Sequence, residues 1–224
     1  MLLLAAADLA QVAEAFFRGS IGSASAFFSG TLVRAIPLTL LGVGVSLAFR
    51  AGMSNIRAEG QLLLGAIAAT VVGLHLDAGP VTLVLTLAAA AGAGAAWAAI
   101  AAGLRERFGV LEVISTLMLN FVAAHLVSYL VRGPLQEPTR IYPQTEPVVL
   151  AAQLPQLWQG TRLHAGILLA GIAVVCAWWF LPQTASGFRV RAVGASPTAS
   201  ATTGRIDVAR VRAMALIASG ALAG

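Results

Sequence analysis

Polar residues along this chain are confined to short breaks between long apolar runs. Apolar stretches occupy 31–49, 61–77, 80–102, 110–131 and 164–182, and another opens near 211 and is cut by the end of the chain at Gly224. Each is close to the roughly 20 helical residues that cross about 30 Å of hydrocarbon. They are apolar all round and rich in Leu, Ala and Gly, which fits helices and not the two-residue alternation of a membrane barrel. The predicted fold is an all-α polytopic transmembrane helical bundle. Gly65, Ala69 and Gly73 recur every four residues, as do Ala88, Gly92 and Ala96, and both rows predict smooth faces for close packing.

Composition agrees: 58% of residues are hydrophobic and 10% charged, with a mean hydropathy of +0.86, against about 25% charged in soluble domains. The basic residues are all arginines, and they orient the bundle. The segment 183–210, with Arg212 and the connections on its side, collects nine: Arg189, Arg191, Arg205, Arg210, Arg212, Arg105, Arg107, Arg50 and Arg57. The opposite side receives Arg132, Arg140, Arg162 and Arg18. The positive-inside rule therefore places 183–210 in the cytoplasm. The sequence pI near 11.0 reflects this topology, since no aromatic-basic stripe or recognition motif for nucleic acid is present. Residues 1–30 read as an outer-side segment: Met1–Ala7 is apolar but too short to span and has no basic n-region, and Val12–Phe28 suits a surface helix or the remnant of a first span. A chain that starts this way and stops within a span reads as incomplete at one or both ends.

Few residues carry chemistry. Cys176 stands alone among Val174, Val175, Trp178 and Trp179, so it makes no disulfide or thiolate site and is expected to be a buried packing residue. His75, His125 and His164 share no metal-ligand spacing with any Cys or carboxylate, and His125 is expected to hydrogen-bond between helices. More informative is 110–131, where Glu112, Thr116 and Asn120 lie four apart with Ser115 beside them. They form a polar stripe over about 12 Å of helix rise, either knitting helices together or facing a translocation path. The run Gly52 to Gln61 is equally unusual, with Asn55, Arg57, Glu59 and Gln61 between two spans. It reads as a cytoplasmic turn with Glu59 at a helix N-terminus, or as an irregular segment entering the membrane, where transporters handle substrate.

Three landmarks in order carry a resemblance. Asn55-Ile56 with Glu59-Gly60-Gln61, then Glu112-Val113-Ile114-Ser115-Thr116-Leu117-Met118-Leu119-Asn120, then Gly187-Phe188-Arg189-Val190-Arg191-Ala192-Val193-Gly194 with Pro197, resemble one family. It comprises the permease subunits of bacterial ATP-binding cassette importers for nucleosides and simple sugars, related to branched-chain amino acid and ribose permeases. The resemblance covers about residues 30–224. Departures are Ser54 and Arg57 where the family usually has Phe and Gly, Leu111 where an Asn is common, and Gly204-Arg205-Ile206 across a usual Gly-Ile.

The resemblance implies a type II-like permease fold over 31–224 and alternating access in a multi-pass protein of the bacterial inner membrane. Implied partners are a cytoplasmic ATPase subunit, a second permease in a homo- or heterodimer, and an extracytoplasmic binding protein docking partly on 132–163. Asn55, Glu59, Gln61, Thr116 and Asn120 are the implied pathway residues. Gly187, Arg189, Arg191, Ala192, Val193, Gly194, Pro197 and Ala199 form the implied coupling surface to the ATPase, where Ser196 suits an N-cap and Pro197 a first turn. With no lysine in the chain a P-loop does not exist here, so no enzymatic activity, cofactor or metal is expected. Alternatives are a branched-chain amino acid permease, an ion-coupled secondary transporter, whose coupling carboxylates would lie deep in the bundle, and a membrane scaffold.

Overall fold

The computed structural model describes residues 9–202 and 205–224. The apolar opening Met1–Ala7 and Gly204 lie outside them. The regular elements among the described residues are helical, and the only extended pairing there is an isolated bridge between Gln156 and His164. Among the described residues, four helical runs are long and apolar enough to cross a membrane: Ala26–Arg50, Pro80–Phe108, Glu112–Val131 and Gly166–Gln183. The chain folds as two units.

The smaller unit takes the residues up to Thr39 together with Leu154–Ile172. Its first helix, α1 (Leu9–Ser20), buries none of its residues and exposes Phe16 and Phe17. An exposed pair, Glu14 with Arg18 at 2.6 Å, spans one of its turns. A π-helical segment, Ala26–Leu32, runs straight into α2 (Val33–Arg50). The first apolar helix thus begins at Ala26, earlier than the hydropathy edge at 31, because Ser29 and Gly30 lower apolarity without breaking a helix. Trp158 lies against Phe28 with ring centroids 5.5 Å apart, and the Arg162 N–H donates to Ser29 Oγ at 3.0 Å.

The larger unit comprises Leu40–Gln153 and Ala173–Gly224. It holds α3 (Glu59–His75), α4 (Pro80–Phe108), α5 (Glu112–Val131), the second half of α6 (Gly166–Gln183), α7 (Ala185–Ala195), α8 (Pro197–Thr202) and α9 (Val208–Ala223). Pro80 opens α4 at a position whose N–H needs no partner. That helix continues past residue 102 to Phe108, carrying Arg105 and Arg107 in its last turn, and stops at Gly109 in left-handed backbone, φ +67°. A helix end is set by its cap and not by where apolarity ends, which is why α4 outlasts its apolar run.

Packing in this unit is backbone to backbone. A Cβ on Gly94 of α4 would overlap the Gly220 carbonyl of α9, and one on Gly65 of α3 would overlap Gly224. Gly73 is covered by Val148 and Ala152, whose Cβ atoms lie 3.0 and 3.1 Å from where its own would stand. The row on α4 differs from expectation. Ala88, Gly92 and Ala96 are exposed, and the buried row is Thr82, Thr86, Ala90, Gly94 and Ala98. Two residues along a helix is about 200° around it, so the packed face is the opposite one. In so alanine-rich a helix both faces are smooth, and spacing alone does not choose between them. Two further expectations are corrected. Cys176 is exposed, because α6 buries only Gly166 and Ala170, and an outward face on an apolar span suits a thiol as well as a core does. The His125 ring is exposed and pairs through Nδ1 with the Phe121 carbonyl of its own helix at 2.8 Å, since a carbonyl one turn back lies closer than any neighbouring helix.

After α5 the chain closes a loop around Glu137, which accepts the Thr139 hydroxyl and the Gln144 amide, both at 2.7 Å. The Thr139 bond most, then the Gln144 bond, holds this carboxyl below the ordinary glutamate range.

Two outcomes are expected. Gly94→Ala forces backbone apart and lowers stability by about 1–3 kcal/mol, read as a reduced unfolding temperature in detergent, whereas Gly92→Ala, with nothing within 4 Å, changes it by less than about 0.5 kcal/mol. Because the folded pKa of Glu137 is depressed, the loop gains its support above the ordinary carboxylate range and loses it as pH falls through the lowered value. A carboxyl NMR titration should place the Glu137 midpoint below that of a free glutamate.

Candidate functional site

The polar run between α2 and α3 begins with a helix stop. The N–H groups of Ala51 and Met53 both reach the Ala48 carbonyl at 3.0 Å while Gly52 takes φ +72°, the left-handed turn glycine permits. The chain then runs without regular structure until Glu59 opens α3. Within that stretch Asn55 is 0% exposed. Its amide donates to Gln61 Oε1 at 3.0 Å and to Ser219 Oγ of α9 at 2.8 Å, and Gln61 Nε2 donates back to Asn55 Oδ1 at 3.3 Å. Two neutral amides thus satisfy each other out of water, as buried polar groups must. Ser219 reaches them because Gly94 and Gly220 let α9 lie directly on α4.

The stripe on α5 is buried throughout, at Glu112, Ser115, Thr116 and Asn120. Glu112 accepts the Ser54 N–H through Oε1 at 3.1 Å and pairs with Arg105 through Oε2. It therefore joins three pieces: the irregular turn, the end of α4 and the start of α5. Thr116 returns its hydroxyl to the Glu112 carbonyl at 2.8 Å. Asn120 donates to Glu59 Oε2 at 3.2 Å. Arg57, by contrast, is exposed and forms no ion pair with Glu59 or any other described carboxylate.

Two buried polar atoms here have no partner, Trp97 Nε1 and Asn120 Oδ1. Both stand 3.2 Å from the position a Cβ on Gly60 would take. Trp97 and Gly60 border a crevice, lined also by Arg57, Gln61 and Thr116, that is too tight to admit a water. A free donor and a free acceptor, neither charged, meet at a residue with no side chain. In this arrangement no ligand atom fits between them; a neutral hydroxyl or amide edge matches both only once the helices around Gly60 part.

The segment expected to couple forms two helices. The Thr184 hydroxyl caps α7 by accepting the Gly187 N–H at 2.9 Å, and Gly187 has no room for a side chain against the carbonyls of Phe180 and Leu181. Val190 and Val193 face inward. Gly194 presses on the Arg50 carbonyl, so α7 sits on the turn that leads into Asn55. Arg191 is exposed and donates through Nε to the Leu181 carbonyl at 3.0 Å. Arg189 is exposed and Ala192 half-buried. Pro197 opens α8, whose Ala199 N–H reaches Ser196 Oγ at 3.3 Å.

Asn55, Gln61, Glu59, Asn120 and Thr116 all lie around the start of α3 and the buried face of α5: Asn55 pairs with Gln61 and Asn120 with Glu59, while Thr116 bonds only to carbonyls of its own helix. Trp97, Ser219 and Arg105 belong with them and were missed. Trp97 is a lone aromatic in an alanine-glycine run, which was the available signal. Ser219 and Arg105 gave none, because only the packing of α9 and the extra turns of α4 bring them in.

The family model described as branched-chain amino acid transport system, permease component, matches residues 27–224. The glucose ABC transporter permease protein TsgB13 of Haloferax volcanii is 44% identical over 185 residues, 77% of this chain and 48% of that protein. The guanosine ABC transporter permease protein NupP of Bacillus subtilis is 36% identical over 231 residues, 100% of this chain and 65% of that protein. The nucleoside ABC transporter permease protein NupB of Lactococcus lactis is 29% identical over 94% of this chain and 60% of that protein. The chain thus spans about half to two thirds of the length of these curated relatives. No solved structure matches it significantly.

Replacing Glu112 by Ala strands the Arg105 guanidinium and the Ser54 N–H. The expected loss is about 1–3 kcal/mol, toward the lower end because the Arg105 side chain keeps 27% exposure. Asn55→Leu should destabilise by a similar amount through unpaired Gln61 and Ser219, and Ser219→Ala by about 1 kcal/mol or less, since Gln61 still accepts from Asn55. Thermal unfolding of the three variants in one detergent tests the order.

Proposed function

Since the chain belongs to the family of branched-chain amino acid transport system permease components, with helices apolar and long enough to make it a multi-pass membrane protein, we propose that it is the permease subunit of an ATP-driven importer carrying nucleosides or simple sugars by alternating access. The observation that carries this reading is the seat of Gly194 on the Arg50 carbonyl. It joins the proposed coupling surface to a turn whose next residues hold Asn55 and, through Ser54, Glu112. A push on α7 from a closing ATPase therefore has a packed route to the polar cluster, with no mobile linker between.

The ATPase is a separate cytoplasmic subunit in this reading, which the family's description as a permease component supports. It docks on α7 and α8 through Arg191, Ala192, Gly194, Pro197 and Ala199, whereas Val193, fully buried, seats α7 on the core. A second permease completes the pathway in the bacterial inner membrane, and a binding protein delivers cargo to the outer loop 132–163. Asn55, Glu59, Gln61, Thr116 and Asn120 line or shape the path, joined by Trp97. Relatives named for guanosine, nucleosides and glucose support the cargo class, and the unpartnered donor and acceptor at Gly60 are uncharged, as suits such cargo.

ATP-dependent uptake into proteoliposomes containing the full-length permease and its partners tests this. Gly194→Leu should cut uptake at least about tenfold; because its side chain would overlap the Arg50 carbonyl it also lowers the unfolding temperature, so lost coupling is read as uptake per folded complex that still holds the ATPase. Trp97→Phe, which keeps the ring and removes the N–H, should weaken the apparent affinity about two- to tenfold, the range of one neutral hydrogen bond. Nucleosides or sugars should compete for uptake; competition by leucine alone would falsify the cargo assignment.

A further inference from the structure

Beside the coupling segment lies a groove of about 670 Å³ with no part in the pathway. Its floor is apolar, formed by Leu47, Phe180 and Met214, and its rim carries Arg189, Arg205 and Arg210 against a single acid, Asp207. That carboxylate already accepts the Arg210 N–H as the N-cap of α9, at 3.0 Å. None of the three guanidinium groups is paired with a described carboxylate. Arg205 is moreover held in left-handed backbone at φ +47°, a region that favours glycine.

We propose that this groove holds an anionic phospholipid of the cytoplasmic leaflet. Its phosphate sits on Arg189, Arg205 and Arg210, and the start of an acyl chain lies along Phe180, Leu47 and Met214. Guanidinium forks match phosphate oxygens in paired hydrogen bonds, and the cytoplasmic leaflet concentrates such headgroups near basic side chains. A soluble phosphate would use the rim and leave the floor unused. A lipid uses both, since Phe180 and Met214 belong to apolar helices and Met214 is 60% exposed. The assignment rests on the orientation that puts 183–210 at the cytoplasmic face. Arg189 is on α7 and Arg210 on α9, so a bound headgroup would tie the coupling helix to a span.

Native mass spectrometry of the full-length permease, titrated with phosphatidylglycerol or phosphatidylcholine, tests it. Phosphatidylglycerol should bind about tenfold more tightly, the scale of one to two basic side chains at a membrane surface. The preference should vanish in Arg189→Gln/Arg210→Gln, persist in Arg189→Lys/Arg210→Lys, and be unaffected by Arg107→Gln/Arg132→Gln. Equal retention of both lipids by the unmodified protein overturns the proposal, as does a preference that survives loss of both arginines. Displacement by inorganic phosphate would make this a free-anion site and overturn it too. If the Gln variant keeps phosphatidylglycerol but releases the ATPase, the groove is an ATPase contact and the lipid assignment fails.

Discussion

The arrangement of the larger unit depends on one close approach. Gly94 and Gly220 allow α4 and α9 to touch backbone to backbone, with Gly65 meeting Gly224 from α3. In hydrocarbon there is little hydrophobic drive between helices, so contact area and short distance have to supply the attraction. Once α9 lies that close, Ser219 is within 2.8 Å of Asn55. The irregular turn after α2 then has a buried partner on a helix far along the chain. Without this contact Asn55 and Gln61 would still pair, but the turn would have no anchor on α9.

Most of the buried polarity in this unit is paired. Asn55, Gln61 and Ser219 satisfy one another, and Glu112 is answered by Ser54 and Arg105. Unpaired among the described residues are Thr86 Oγ1, Arg212 Nε and, at Gly60, Trp97 Nε1 and Asn120 Oδ1. Unpaired buried groups are costly, and they are tolerated where something else meets them during function. Asn120 is half engaged, giving its amide hydrogens to Glu59 and keeping its carbonyl oxygen free. Glycine at position 60 leaves no side chain between them. A methyl group there would press on Trp97 and Asn120 together.

Helices α7 and α8 show how a short basic segment is seated on the bundle. Val190 and Val193 seat α7 on the core, Gly187 and Gly194 remove the side chains that would hold it off, and the exposed arginines face outward. The same segment therefore presents a rigid inner face to the polar turn and a charged outer face to whatever lies at the membrane surface.

The sequence by itself determined the helical class, the order of the apolar helices and the residues of the polar cluster. These follow from local properties: apolarity over about 20 residues, a run of Asn, Glu and Gln between two spans, and polar residues four apart on one helix. Glu59 at a helix start and Pro197 opening α8 were equally legible, because caps act within a turn. Tertiary structure decided which faces meet. On α4 both rows of small residues satisfied the spacing rule, and only the glycines of α9 selected Gly94 over Gly92. Packing likewise turned Cys176 outward, recruited Ser219, Arg105 and Trp97, and separated Arg57 from Glu59. Each of these turns on distances between segments far apart in the chain, and periodicity within one segment carries no information about its neighbour.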